Sequence, residues 1–160
     1  MGGSREVQQL LSFLDQAYDR PSWHGTNLRG SIRRVSVRQA GWRPRPERHN
    51  IWETVVHAAY WKYAVWRRIT GQRRGSFARK GSNWFRCPEG GNEQEWRGDV
   101  ALLDQMHRTL REAVEKLSAS ELSQTPKGST VTNAFILSGV AAHDLYHAGQ
   151  IQLLKKLSAP

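Results

Sequence analysis

Apolar residues recur along this chain at the three- and four-residue steps of amphipathic helices, and nowhere do they alternate convincingly enough to pair as strands. Val7, Leu10, Leu11, Leu14, Ala17 and Tyr18 share one stripe, which predicts a helix over about Arg5 to Tyr18, with Ser4 as N-cap and Pro21 as its stop. Asn50-Ile-Trp-Glu53 has the logic of a capping box and predicts a second helix from Ile51 to about Thr70, ended by Gly71. Asn92-Glu-Gln-Glu95 opens a third, in which Trp96, Val100, Leu103, His107, Leu110, Val114 and Leu117 step by four and three along a bundle seam. The last helix begins near Ser129 to Thr132 and runs to about Leu157, its inward face reading Leu137, Val140, His143 or Asp144, His147, Ile151 and Leu154.

Two connections are long for a bundle. Pro21 to Asn50 is rich in Gly, Pro and Arg, with a short helical piece around Leu28 to Val35 and a turn at Gly41 to Pro46. Gly71 to Gly91 lacks periodicity yet carries Trp84 and Phe85, and two large aromatics argue for docking against the bundle, as a lid would. The expected fold is therefore all-α: an antiparallel four-helix bundle with long crossover connections, one domain over residues 1–160.

Length and cysteine content narrow the chemistry. At 160 residues the chain buries a core without crosslinks, and with one cysteine, Cys87, it has neither an intrachain disulfide nor a cysteine-pair zinc motif. No apolar run is long enough for a membrane span and no secretory signal is visible, so a cytoplasmic protein is expected. The net charge of +10 is concentrated: residues 29–86 hold 15 Lys or Arg against Glu47 and Glu53, while the remainder is slightly acidic. Such a segment attracts nucleic acid, an acidic surface or a small anionic substrate, or is simply a solvated face.

Histidine carries the sharpest signal. His143 and His147 lie one helical turn apart in the middle of a core stripe, where two imidazoles either find separate acceptors or share one cation. A third ring, His57, sits in the middle of the second long helix in Glu53-Thr-Val-Val-His57-Ala-Ala-Tyr60-Trp61. Glu53, one turn before His57, reads as an acceptor behind the histidine, as a general base, or as the closing member of its capping box, the last being preferred. Asp144 either orients a histidine or forms a surface ion pair, again the preferred reading. Tyr60, Trp84 and Tyr146 are candidates for the pocket wall, and His24, in Trp23-His24-Gly25, is a loop histidine that could approach the site. His107 reads as a hydrogen-bonded core residue.

The stretch Asn50 to Trp61 together with His143-Asp-Leu-Tyr-His147-Ala-Gly149-Gln150-Ile151 resembles the DinB-like (YfiT/DinB) superfamily of four-helix bundles, over nearly the whole chain. The resemblance implies one divalent metal, zinc or nickel, held by His57, His143 and His147 at the bundle's mouth, with water or substrate completing the coordination. It also implies a metal-dependent enzyme: relatives activate a low-molecular-weight thiol for transfer or isomerisation, or are described as hydrolases, and members often form homodimers. Here Trp66 with Arg67 and Arg68 is a candidate dimer contact. The alternatives are a nucleic-acid-binding protein that stacks bases on Trp42, Trp61, Trp66 and Trp84, and a non-catalytic dimeric partner protein.

Overall fold

A computed structural model describes residues 4–73 and 75–158, so Arg74 of the basic segment and the terminal residues 1–3, 159 and 160 lie outside the described residues. The described residues form α1 (Arg5–Tyr18), α2 (Leu28–Ser31), α3 (Val37–Gly41), α4 (Ile51–Thr70), α5 (Glu93–Glu115), α6 (Ala119–Leu122) and α7 (Asn133–Leu157). No strand is present among them; the only β feature is an isolated bridge between Ser82 and Trp84.

The ends of the long helices follow the capping chemistry. Ser4 accepts from the Val7 N–H, Asn50 from Glu53, Asn92 from Glu95 in a complete capping box, and Thr132 from Phe135. Gly71 ends α4 in the left-handed region at φ 65°. Two short helices, α3 and α6, were not anticipated. Each is nucleated by a serine capping box, Ser36 with Gln39 and Ser118 with Glu121, inside segments too short to show a period. The helical piece expected over Leu28 to Val35 is shorter, ending at Ser31.

Contacts between helices fix their directions. Trp52 of α4 donates to Asp99 of α5 and Val65 of α4 shares a cluster with Leu110 and Val114, so α4 and α5 run side by side in the same sense. Asp15 meets Arg111 and Tyr18 meets Asp104, so α1 opposes α5; α4 likewise opposes α7, with Ile51 clustered near Ile151 and Val65 near Leu137. This up-down-down-up order explains the segment between α4 and α5. A helix of 20 residues is about 30 Å long, and the chain must travel back that distance before α5 can start beside the beginning of α4.

The core falls into two apolar clusters. One gathers Trp52, Val55, Ala58, Ala59, Phe85, Trp96, Leu103 and Ile151 under α2 and α3, and the other gathers Val7, Leu11, Leu14, Val65, Leu110, Val114, Leu137 and Val140. Polar side chains lie near their junction. Lys62 and Asp144 form an ion pair with no solvent exposure, the Lys62 ammonium lies 4.8 Å from the centre of the Tyr18 ring, and the Tyr18 hydroxyl donates to Asp104 at 2.5 Å. His107 stacks on Tyr18 and stays neutral, because burial and then nearby Lys62, Arg111 and Arg108 oppose its protonation. The expectation of a surface ion pair at Asp144 is thus corrected: the partner is Lys62, buried within α4, and nothing in the sequence distinguishes that lysine from a solvated one.

A buried pair in contact is costly to break from one side. Lys62→Met strands the Asp144 carboxylate and should lower unfolding free energy by about 3–5 kcal/mol in urea titrations, and Lys62→Met with Asp144→Leu should recover most of that loss. Additive losses would show that the two groups are not coupled.

Candidate metal centre

His57 lies on the inner face of α4, and His143 and His147 lie on consecutive turns of α7. Because α4 and α7 are antiparallel neighbours, the three rings meet near the level of the Lys62–Asp144 pair. The His143 Nε2 atom is 3.1 Å from His57 Nε2 and 3.0 Å from His147 Nε2. Their ligand atoms form a group able to hold a metal ion, all within 4.8 Å of one another. Nitrogens bound at about 2.0–2.1 Å to a tetrahedral ion stand about 3.3 Å apart, close to the spacing found here.

The outer nitrogens are tied back. His57 Nδ1 donates to the backbone oxygen of Asn83 at 2.6 Å, since a carbonyl can only accept, and this leaves a lone pair on Nε2. His147 Nδ1 is 2.7 Å from Gln150 Oε1, which sets the same tautomer. Two lone pairs therefore face His143 Nε2, which carries at most one proton and can donate to only one of them. His143 Nδ1 is itself buried without a partner among the described residues. Hydrogen bonds among the rings alone leave one acceptor facing another, whereas a cation among the three Nε2 atoms satisfies all of them.

All three rings are held neutral. Burial lowers the pKa of His143 to about 3, helped by the neighbouring His147, His57 and Lys62, and that of His147 to about 4 against the opposing effect of its hydrogen bond to Gln150 Oε1. His57 shifts down for the same primary reason, burial. Near neutral pH no proton competes for the inward lone pairs.

The segment after α4 supplies two residues that sequence reading treats unequally. Trp84, expected as a wall, lies flat between His57 and His49, with ring centroids 3.8 and 3.6 Å apart and interplanar angles of 8° and 2°. Asn83, not anticipated, adopts φ 65° in a tight turn closed by Trp84 N–H to Ser82 O. Its backbone oxygen holds His57, and its side-chain oxygen accepts from the indole of Trp61 at 2.9 Å. No motif marks such a residue, because its role lies in a backbone carbonyl.

The other candidates separate clearly. Tyr146, well exposed, presents its ring edge-on to His147, and with Trp84, His147, Gln150, Arg45 and Arg48 it lines a cleft of about 460 Å³ beside the histidines. Tyr60 turns elsewhere, packing on Phe77 and Phe85 in the wall of a different cavity. His24 is exposed in the first connection next to the fully exposed Trp23, and it joins no cleft with the histidines.

Glu53 departs from all three readings of it. Its backbone N–H is capped by Asn50, but its carboxylate does not return to the Asn50 N–H as a capping box requires. Nor does it contact a metal-facing histidine. Arg43 grips it through both terminal nitrogens at 2.6 and 2.8 Å, His49 adds a third contact and the Cys87 N–H a fourth. Burial alone would raise its pKa, but these bonds outweigh it and bring the carboxyl down to about 2. A carboxylate so held is a poor proton acceptor near neutral pH. Its work is structural: it fastens the 42–50 segment and the residues around Cys87 to the start of α4, and through His49 it backs Trp84.

Glu53 is depressed from 4.5 to about 2, so its stabilisation is complete above pH 4.5 and is lost as pH falls toward 2. Glu53→Gln should cost about 3 kcal/mol at neutral pH by breaking a buried charge pair, and urea midpoints measured across pH 2–5 should flatten relative to the parent chain. An unchanged acid profile would place the linkage elsewhere.

The sequence profile of the DinB superfamily matches residues 7–151. Comparison with the curated proteins and with the solved structures gives no match.

Proposed function

The chain belongs to the DinB superfamily, and from that premise and the meeting of three imidazoles we propose that it is a metal-dependent enzyme of the thiol S-transferase type. His57, His143 and His147 would hold one divalent ion, zinc or nickel. The observation that carries this reading is the set of lone pairs converging on one point, with His57 and His147 fixed from behind by Asn83 and Gln150. A metal held by three neutral imidazoles keeps its full charge and an open position, and so stabilises the thiolate of a bound thiol or the hydroxide form of a bound water.

Thiol transfer is favoured over hydrolysis by what the protein withholds. The two carboxylates on the helices of the site are both committed, Glu53 to Arg43 and Asp144 to Lys62, so neither is free as a base for water. A thiol, with an unperturbed pKa near 8.5, needs less help to ionise. In the cleft beside His147, Arg45 and Arg48 supply donors for the carboxylates of an anionic thiol cosubstrate, while Trp84 and Tyr146 bound the space around the reacting sulfur. Hydrolysis is the second reading, and the same cleft serves it.

Three of the four tryptophans that the nucleic-acid alternative would use as platforms are engaged within the protein, which disfavours it. Trp84 is sandwiched between imidazoles, Trp61 is tied to Asn83, and Trp66 packs against the second core cluster. A homodimer remains part of the proposal, with Phe135, Tyr146, Leu153 and Leu157 exposed on the outer side of α7 as its best support.

Elemental analysis of the purified chain should return about one divalent ion per protein, and the variant with His143→Ala and His147→Ala should return almost none. Equal content in both would remove the centre. With a model electrophile, consumption of a small thiol should require the bound metal, and turnover of an ester with no thiol present would instead assign hydrolysis.

A further inference from the structure

A second cavity, larger than the cleft at the histidines, lies toward the far end of α4. It measures about 900 Å³, within the range of sites for small organic ligands, and shares no lining residue with the cleft beside His147. Three separate stretches of chain bring cations to it: Arg67 and Arg68 from the last turn of α4, Arg73, Arg79 and Lys80 from the crossover, and Lys127 from the turn before α7. Among the described residues, no carboxylate lines it.

Two of these cations have structural duties. Arg67 donates to the backbone oxygens of Gln72 and Arg73, and Arg79 is paired with Asp99. The other four, Arg68, Arg73, Lys80 and Lys127, make no ion pair among the described residues. Exposed charges of one sign gathered round a concavity concentrate anions there more than the same charges spread over a surface would. Tyr60, Tyr63 and Phe77 form an aromatic wall in the same cavity, their rings 5.5–5.6 Å apart, and the Tyr63 hydroxyl is buried without a partner among the described residues.

We propose that this cavity binds a small phosphate ester of the nucleoside diphosphate class, its phosphates on Arg68, Arg73, Lys80 and Lys127 and its planar ring against the Tyr60–Tyr63–Phe77 wall. The site is separate from the histidine centre and does not depend on the function proposed for it. Charge density at one concavity favours a compact polyanion over a strand of nucleic acid, which needs a groove running across the surface.

Calorimetric titration of the full chain, first stripped of metal by chelation so that the histidines cannot capture phosphate, tests this with ADP, inorganic pyrophosphate and a short single-stranded oligonucleotide. The expected result is one ADP per chain, bound about tenfold more tightly than pyrophosphate, and weakened about tenfold or more by Arg68→Glu with Lys127→Glu. Both positions are exposed, so helix content by circular dichroism should be unchanged in the variant. Failure of ADP to bind, equal affinity for ADP and pyrophosphate, indifference to the charge reversal, or binding of the oligonucleotide in place of ADP would each overturn the proposal. Because the protein is metal-free throughout, none of these outcomes bears on the histidine centre.

Discussion

Three imidazole nitrogens aimed at one point form the constraint around which this molecule is arranged. The inward nitrogens of His57 and His147 are acceptors because each ring's other nitrogen is a committed donor, and His143 Nε2, with at most one proton, can satisfy only one of them. The surrounding structure preserves that condition. Burial keeps the rings neutral, Trp84 covers one face of His57, and the Lys62–Asp144 pair anchors α4 to α7 close to where the histidines meet.

Anchoring by an ion pair rather than by packed apolar residues is a poor route to stability alone, since desolvating two charges offsets most of their attraction. It does set register. Lys62 and Asp144 satisfy each other at one relative position of the two helices, and a slip of one turn would leave both charges unmatched in the core. His57, five residues before Lys62, and His143, adjacent to Asp144, are carried into alignment by the same match. Glu53 acts alike at the start of α4, where four contacts draw the 42–50 segment and the residues around Cys87 onto the helix.

What the sequence discloses and what it conceals follow the range of the interactions. The long helices were legible because their caps and stripes lie within a few residues: Ser4, Asn50, Asn92 and Thr132 each act on an N–H three positions away. The convergence of His57 with the α7 pair was legible through a family pattern and not through spacing, since nothing local says which helices are neighbours. Concealed were Lys62, whose burial depends on a partner 82 positions away, and Asn83, which acts through a carbonyl that every residue possesses. Glu53 was misread for the same reason: the local capping motif was visible, while Arg43 and Cys87, which take its carboxylate instead, belong to loops.

The crossover between α4 and α5 returns along the bundle and touches both concavities on its way. Its later portion is fixed, because Asn83 and Trp84 are clamped by a backbone hydrogen bond and by stacking on two rings. Its earlier portion, from Gly71 to Gly81, is spanned mainly by arginines, lysine and small residues, and lengthening such a stretch costs only about 0.6 kcal/mol per doubling. Descendants of this fold can therefore reshape what the basic cavity admits by inserting or deleting residues there, while the histidine geometry is inherited intact.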